Sequence, residues 1–345
     1  GGSIDVNANI TANSGNILLD ADTGNTLNQS STGILLDDVI TIETVTSGNL
    51  TLIGRSGDTG SGFDGIDASS ANTTTLRSAG NLTLQGYSYA ASGSGRGVDL
   101  NNDVIAASGT VSMSGQHNTG ATYALSLSGS TSITAGTGVT LDSLNDNTGT
   151  IALLSSGGID GGSGTVLMRA ANYAFGGADR TITTTGVLTI EPDADENSFA
   201  SSFDNQYLNP VSVTGLTLGK SGNNSNIILQ RAININGPIT VNAGSIHQYS
   251  NVVSSSSSGS VILSGPLVLE ADDLVISSGS GGVSFSSSID SDNSSSLRSL
   301  SVTSTGGNVS LGGSVGANVE LDSVALTANN ISLPDANTSI LADED

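Results

Sequence analysis

The chain has 345 residues, a formal net charge of −23 at pH 7, and neither cysteine nor tryptophan. Eight lysine and arginine residues are too few to neutralise a phosphate backbone, so we expect no nucleic-acid partner and no attraction to an anionic membrane. The lack of cysteine excludes disulfide frameworks and thiolate metal sites. No apolar run approaches the roughly 18 residues of a membrane-spanning helix, so we expect no membrane insertion by this segment.

A short phrase recurs along the chain, consisting of a Gly-Asn or Gly-Thr pair followed by alternating apolar and polar residues. Its copies begin at Gly15, Gly48, Gly80, Gly109 and Gly307. The first four copies follow one another at intervals of 33, 32 and 29 residues, a period typical of solenoids and repeat arrays. The sequence therefore predicts one structural unit that is used many times.

The segments between turn residues have the period-2 pattern of short strands. Clear examples lie at 39–42, 139–141, 187–190, 239–241 and 283–285. No window combines helical spacing with capping residues, so we predict an all-β fold with little or no α-helix. A repeated strand–turn–strand phrase favours a parallel β-helix over a sandwich, with Leu82 and Leu84 pointing inward and Gly80 at a corner that a side chain would obstruct.

The repeats predict two β-helical stretches, 1–190 and 211–345, separated by an acidic and aromatic loop insertion at 191–210. Irregular loops are predicted within the first stretch, at about 54–75 and 86–103. Because loops vary without disturbing a coil, we expect recognition to reside in them. Neither end carries a convincing cap, so we expect an interior fragment of a longer chain.

The acidic segment contains a candidate calcium site. Asp193, Asp195 and Asn197 place oxygen atoms at alternating positions, and Asp204 is twelfth in the count from Asp193. This spacing is similar to that of a calcium loop, although Ser198 replaces the usual glycine. These four residues are the calcium candidate; we interpret the segment first as a solvated acidic loop, and we expect no other cofactor.

A second calcium pattern is weaker. The sequences Asp64-Gly65-Ile66-Asp67 and Gly157-Gly158-Ile159-Asp160 are faintly similar to Gly/Asp-rich calcium repeats. From the sequence we expect neither to repeat in register. We therefore interpret both as turns.

Five aromatic residues surround or occupy the acidic segment. They are candidates for contact with a ligand, by stacking on a sugar or docking a protein. The alternative is that they seal the base of the loop against the coil. The five residues are Tyr173, Phe175, Phe199, Phe203 and Tyr207.

An enzymatic alternative depends on paired carboxylates, because a β-helix can mount two acids across a groove for glycosidic cleavage. The first candidates are Glu191, Asp193, Asp195 and Glu196. No arginine or lysine accompanies these acids in the segment, and the two histidines, His117 and His247, lack metal-ligand spacing. We therefore expect that the chain is not an enzyme.

Two segments carry a resemblance to a known family. The first, at 214–223, reads Thr-Gly-Leu-Thr-Leu-Gly-Lys-Ser-Gly-Asn, and the second, at 233–241, ends in Gly-Pro-Ile-Thr-Val. Together with the Gly-Asn repeats, they make the chain resemble the filamentous-haemagglutinin-like giant bacterial surface proteins. The resemblance implies a right-handed parallel β-helix, export across a Gram-negative envelope and service as a stalk or adhesin. It supplies no catalytic residues.

The expected function is a rigid stalk or fibre segment of a secreted, adhesin-like protein on the surface of a Gram-negative-type bacterium. Loops would carry any recognition. Expected partners are cell-surface or matrix components, including glycans, the rest of its own long chain, and further copies of itself in fibres. Two alternatives stay open, a polysaccharide-degrading β-helical tailspike or lyase and a calcium-dependent surface-layer component.

Overall fold

The computed structural model describes residues 2–21, 31–58, 62–69, 73–89, 93–117, 123–144, 148–154, 157–333 and 339–342. All the regular elements in these ranges are β-strands, which confirms the all-β prediction. Consequently, no helix in the described ranges is long and apolar enough to cross a membrane. The strands form parallel sheets stacked as a β-solenoid of about 12 turns, as the repeated phrase predicted.

The chain divides into two compact units. The first unit is Gly1–Gly186 with Asp193–Glu196, and the second is Val187–Pro192 with Asn197–Asp345. The segment predicted as a loop insertion at 191–210 therefore contributes residues to both units, and it contains strand residues as well as turns.

The first unit is built from twenty short strands, each bounded by turns. In chain order they are β1 (Ile4–Asp5), β2 (Ile10–Ala12), β3 (Ile17–Asp20), β4 (Ile34–Leu35), β5 (Thr41–Thr44), β6 (Leu50–Arg55), β7 (Ile66–Ala68), β8 (Thr75–Ser78), β9 (Leu82–Tyr87), β10 (Val98–Asn101), β11 (Val104–Ala107), β12 (Val111–Gln116), β13 (Leu125–Ser128), β14 (Ser132–Ala135), β15 (Val139–Ser143), β16 (Thr150–Leu153), β17 (Ile159–Asp160), β18 (Val166–Arg169), β19 (Asn172–Phe175) and β20 (Arg180–Thr183). Within the unit the first sheet has the order β1-β4-β7-β10-β13-β16-β19, the second β2-β5-β8-β11-β14-β17-β20 and the third β3-β6-β9-β12-β15-β18.

The second unit repeats this plan. Its strands are β21 (Val187–Glu191), β22 (Phe203–Asp204), β23 (Leu208–Val211), β24 (Gly215–Leu218), β25 (Asn226–Leu229), β26 (Ile233–Ile235), β27 (Ile239–Asn242), β28 (Ser245–Gln248), β29 (Val252–Ser254), β30 (Ser260–Ser264), β31 (Leu267–Leu269), β32 (Leu274–Ser278), β33 (Gly282–Phe285), β34 (Ile289–Ser291), β35 (Ser299–Ser304), β36 (Asn308–Leu311), β37 (Ser323–Thr327) and β38 (Asn330–Ser332). Its sheets have the orders β22-β25-β28-β31-β34, β26-β29-β32-β35-β37 and β21-β24-β27-β30-β33-β36-β38.

The core of each unit consists of aliphatic ladders, in which equivalent residues of successive coils lie on one another. Leu82 and Leu84 are both fully buried, so their predicted inward direction is confirmed. Full burial of one such side chain contributes about 1.5–3 kcal/mol relative to exposure, so a ladder supplies stability at every coil. One ladder of the first unit comprises Leu52, Leu84, Met113, Leu141 and Met168, all 0 % exposed.

A second kind of ladder explains the Gly-Asn phrase. The Asn16 Oδ1 accepts a hydrogen bond from the Asn49 backbone N–H at 2.8 Å, and the Asn49 Oδ1 accepts one from the Asn81 N–H at 2.8 Å. The Asn81 Oδ1 continues the series by accepting from the Thr110 N–H at 3.0 Å. Each side chain thus satisfies the corner amide of the next coil, which would otherwise need water.

At Gly48 and Gly80, the glycine before the corner asparagine is required by close approach to the preceding coil. At Gly80 a β-carbon would lie 2.5 Å from the Asn49 Oδ1 and 2.8 Å from the Gly48 carbonyl oxygen. No real side chain fits such a space. The prediction that a side chain at Gly80 would obstruct the corner is therefore confirmed.

The core of the first unit also holds a fully buried arginine. Arg180, at the start of β20, is 0 % exposed, and its guanidinium donates to the carbonyl oxygens of Thr131 and Leu127, each at 3.1 Å. These carbonyls belong to a coil two turns away. Desolvation lowers the pKa of Arg180 to about 10, so the side chain stays charged at neutral pH.

The asparagine ladder generates a stability prediction. Asn49→Ala removes the acceptor of the Asn81 amide, so we expect a lower urea midpoint, corresponding to about 0.5–1.5 kcal/mol, the net contribution of one hydrogen bond. Asn7→Ala is the matched control, because Asn7 is exposed and lies outside the ladder. Equal losses in the two variants would mean that the ladder contributes nothing.

Candidate functional site

The irregular loops of the first unit leave the coil through a constriction between a third-sheet strand and the following first-sheet strand. A β-carbon at Gly54 would lie 2.0 Å from the Gly65 carbonyl oxygen, and one at Gly86 would lie 1.9 Å from the Gly97 carbonyl oxygen. Gly115 repeats the arrangement one coil later. Glycine on these strands lets the two backbone segments come together, so each loop projects from a closed base.

These loops are shorter than the predicted ranges of about 54–75 and 86–103. Strands β7 and β10 occupy residues 66–68 and 98–101. They belong to the regular first sheet, where Ile66 and Val98 pair in register and are fully buried. The described residues outside strands at these places are 56–58 with 62–65, and 88–89 with 93–97.

Three aspartates from two successive coils meet on the outer face of the first sheet. Asp67 lies between the buried Ile66 and Ala68, so strand alternation directs it away from the core. Asp99 pairs with Asp67 in register, and Asp64 lies at the end of the preceding loop. One carboxylate oxygen from each aspartate lies within 4.8 Å of the other two, the single such group among the residues that the structure describes. We call Asp64, Asp67 and Asp99 the aspartate cluster.

The aspartate cluster is covered, although it lies on the outer face of a sheet. Asp99 is 2 % exposed and Asp64 8 %, whereas Asp67 is half-buried. The next outward residue along the same ladder, Ser126, is 0 % exposed. Such burial of the outer ladder identifies a covered face.

Arg96 is the cation that contacts the aspartate cluster. Its guanidinium forms an ion pair with the Asp99 Oδ2, and its backbone N–H donates to the Asp64 Oδ1. The guanidinium carbon also lies 5.7 Å from the centre of the Tyr123 ring, within the range of a cation–π contact. With all three carboxyls ionised, the aspartate cluster and Arg96 together carry a charge of −2.

Burial dominates the titration of this region. It raises the pKa of Asp64 to about 7; the hydrogen bond from the Arg96 N–H opposes this rise, and the negative charges of Asp67 and Asp99 add to it. Burial also raises the pKa of Asp99, although the charge of Arg96 lowers it. The neighbouring Asp103 also has a pKa raised by burial to about 7, although it accepts hydrogen bonds from two backbone amides.

Within the described part of the chain, one polar atom of the aspartate cluster and one beside it have no hydrogen-bond partner. They are the buried Asp99 Oδ1 and the buried Ser126 Oγ, which belong to paired residues on one face of the sheet. The Ser126 hydroxyl is close enough to lower the pKa of Asp99, but the two groups do not meet the geometry of a hydrogen bond. The arrangement is therefore suited to holding a cation or to sharing protons among carboxyls.

A stack of aromatic and basic side chains lies on nearby strands of the same unit. The Arg55 guanidinium lies 5.4 Å from the centre of the Tyr87 ring and pairs with Asp20 at 2.8 Å. The rings of Tyr87 and Tyr89 are parallel within 7°, with their centres 6.4 Å apart. All four side chains are half-buried, so the stack presents part of its surface to solvent.

No family model matches the chain, and neither does any curated protein or solved structure compared with it.

The four predicted calcium ligands are distributed over both units. Asp193 and Asp195 belong to the first unit, and Asn197 and Asp204 belong to the second. Asp204 accepts a hydrogen bond from the Gln206 N–H at 2.8 Å, and burial raises its pKa. Calcium binding at these four residues stays a prediction.

The predicted aromatic set is also distributed over both units. In the second unit, Phe199 and Phe203 are each 3 % exposed, and their rings stack with centres 5.6 Å apart, which favours the packing alternative for this pair. Tyr207 of the same unit is half-buried. In the first unit, Tyr173 and Phe175 are half-buried and extend the first-sheet ladders. Ligand contact by these three residues stays a prediction.

The remaining candidates lie in different surroundings. Glu191 ends β21 of the second unit, whereas Glu196 belongs to the first. His117 is buried, at 5 % exposure. The Nδ1 of His247 lies 2.6 Å from a carboxylate oxygen of Glu270, a contact that sequence reasoning missed because the two residues are one coil apart.

The aspartate cluster was also missed, because Asp64-Gly65-Ile66-Asp67 was interpreted as a turn that does not repeat in register. That interpretation is wrong, since Asp67 lies in β7 and pairs with Asp99 of β10. The available signal was the phrase Gly-Ile-Asp at 65–67, which returns as Gly-Val-Asp at 97–99. Its spacing equals that of the corner glycines 48 and 80.

The raised pKa of Asp64 predicts a pH effect on stability. The folded chain keeps the Asp64 proton up to about pH 7, whereas the unfolded chain loses it near 3.8, so the folded state binds more protons between these values. The free energy of unfolding therefore falls as pH rises through this window. In Asp64→Asn we expect a smaller fall, measured by urea unfolding in buffers containing a chelator.

The matched control for this effect is Asp5→Asn, which removes an exposed carboxylate from the same sheet. It should retain the wild-type dependence on pH. An equally steep fall in Asp64→Asn and wild type would contradict the assignment of this titration to Asp64.

Proposed function

We propose that the chain is a rigid stalk or fibre segment of a secreted, adhesin-like bacterial surface protein of the filamentous-haemagglutinin-like kind. The observation that carries this proposal is the in-register parallel pairing that continues from coil to coil within each unit. A right-handed coil, export and a Gram-negative cell surface are parts of the same proposal, and they derive from the family resemblance.

Backbone hydrogen bonds between coils make each unit resist bending. Bending a unit would separate neighbouring coils and break several parallel hydrogen bonds at once, since each coil is joined to the next through three sheets. The same movement would open the aliphatic ladders to water. In the second unit one such ladder comprises Leu218, Val241, Leu263, Phe285 and Leu311.

The surface chemistry supports an extracellular stalk. A net charge of −23 favours solubility and discourages uncontrolled association of exposed strands. Serine, threonine and asparagine dominate the outward positions of the repeated phrase, as in Leu82-Thr83-Leu84. Such a surface separates a binding region from the cell without itself being strongly adhesive.

Recognition is assigned to the loops of the first unit and to the strand ends from which they leave. The stack of Arg55, Tyr87 and Tyr89 combines flat apolar rings with a guanidinium, a pairing suited to the faces and hydroxyls of a sugar. We therefore propose cell-surface or matrix components, including glycans, as partners of this surface. Other copies of the chain are partners in fibre assembly.

One observation favours the enzymatic alternative, a polysaccharide-degrading tailspike or lyase. The aspartate cluster supplies acids with an arginine, the combination that the 191–210 segment lacks. One feature counts against it, because Asp64 and Asp99 are nearly inaccessible to a polysaccharide. We therefore propose that the chain is not an enzyme.

The stalk proposal predicts a location. Antibodies against this chain, bound to gold and applied to intact producing cells, should label extended surface fibres along their length in electron micrographs. Cells with the gene deleted are the control. Label confined to the cytoplasm would contradict the proposal, and label on compact particles that clear a polysaccharide layer would favour the enzymatic alternative.

A further inference from the structure

We propose that Asp64, Asp67 and Asp99 bind one calcium ion, which fastens the loops of two successive coils to the outer face of the first sheet. The site is independent of the stalk proposal, because it concerns how the first unit is held together. It is also different from the calcium site predicted at Asp193 and its neighbours.

The uncompensated negative charge of the aspartate cluster favours a divalent cation. Three carboxylates lie on a covered face, and the contacting cation, Arg96, neutralises only one of them. A divalent cation restores neutrality to a group with a charge of −2. Without it, the carboxyls must retain protons to avoid like charges at close range in a poorly hydrated place.

A second observation concerns Ser126 on the next strand. Ser126 is 0 % exposed, and among the described residues its hydroxyl has no hydrogen-bond partner. The residue pairs with Asp99, on the same outward face, and the Asp99 Oδ1 also lacks a partner. Buried polar atoms without partners are uncommon in folded proteins. These two oxygen atoms, one in the aspartate cluster and one beside it, are suited to coordinating a cation.

The separations between the carboxylate oxygens match those around a calcium ion. Calcium takes six to eight oxygen ligands at about 2.3–2.6 Å, so oxygen atoms on opposite sides of one ion are up to about 5 Å apart. The three carboxylate oxygens, all within 4.8 Å of one another, satisfy this limit on the coil as it stands. Magnesium requires shorter bonds and stricter octahedral geometry. Carboxylate and hydroxyl oxygens at these separations therefore favour calcium.

Binding at this place would join parts of the chain that are distant in sequence. Asp64 ends the first loop, Asp67 lies in β7 and Asp99 lies in β10, one coil later. Arg96 already connects the second loop to Asp64 and Asp99. Calcium would add a central contact to this network, and stability of the first unit would increase with calcium concentration.

The test uses the whole chain, freed of metals with a chelator and then titrated with calcium chloride at about pH 8, above the Asp64 pKa of about 7. Calorimetry should give one ion per chain, and about 1 mM calcium should raise the melting temperature. Asp67→Asn should weaken binding by about tenfold or more, because it removes the negative charge of a direct ligand. Ser126→Ala should weaken binding less.

Asp5→Asn is the matched control, because it removes a carboxylate from the same sheet at an exposed position. It should bind calcium as the wild type does. The proposal is overturned by a wild-type chain that shows neither binding nor a change in melting temperature. It is equally overturned by binding that persists unchanged in Asp67→Asn, or by binding that is lost only in the double variant of Asp193→Asn and Asp195→Asn.

A second measurement covers the case in which Asp67→Asn fails to fold. Terbium replaces calcium in oxygen sites and emits light when a nearby tyrosine is excited. Tyr123 is the expected donor of the excitation energy, because its ring lies against Arg96, which contacts the aspartate cluster. Tyr123→Phe should retain the calcium effect on melting temperature but lose terbium emission. Unchanged emission in this variant would overturn the placement of the ion.

Discussion

The constraint on which the rest of this structure depends is the parallel, in-register stacking of coils. Strand partners in a sheet lie about 4.8 Å apart, so each side chain has the equivalent side chain of the next coil as its nearest neighbour. Leucine placed on leucine makes a core, and asparagine placed on asparagine makes the ladder from Asn16 to Asn81. Glycine placed on glycine makes the constriction at Gly54 and Gly86. One rule of position therefore produces the interior, the corners and the bases of the loops.

The same stacking is favourable for neutral groups and unfavourable for charges. Asn49 donates through its backbone and accepts through its side chain, so a column of such residues satisfies itself. Asp67 on Asp99 places like charges next to each other, and a partner of opposite sign is needed. Arg96 meets part of that need from the loop. In the second unit, by contrast, the carboxylate of Glu270 contacts the imidazole of His247 on the adjacent coil.

Much of the fold was predictable because its determinants are local. Period-2 alternation identified the strands, and the recurring Gly-Asn pair identified the repeat and the obstructed corner at Gly80. The aspartate cluster was not predicted, because alternation assigns Asp67 to an outer face and says nothing about what covers that face. Burial of Asp99 and Ser126 results from tertiary packing, which no local pattern records.

Because of the glycine constriction, the length of a loop does not affect the geometry of the coil. A segment that leaves at Gly86 and returns at Gly97 begins and finishes at almost one point, whatever its length. The entropy of closing a flexible segment grows only slowly with the number of residues, so foreign peptides inserted there would cost the scaffold little. During evolution, new loop sequences at these positions would leave the packing of the core unchanged. In the laboratory, the same positions offer places to display an epitope on a regular frame.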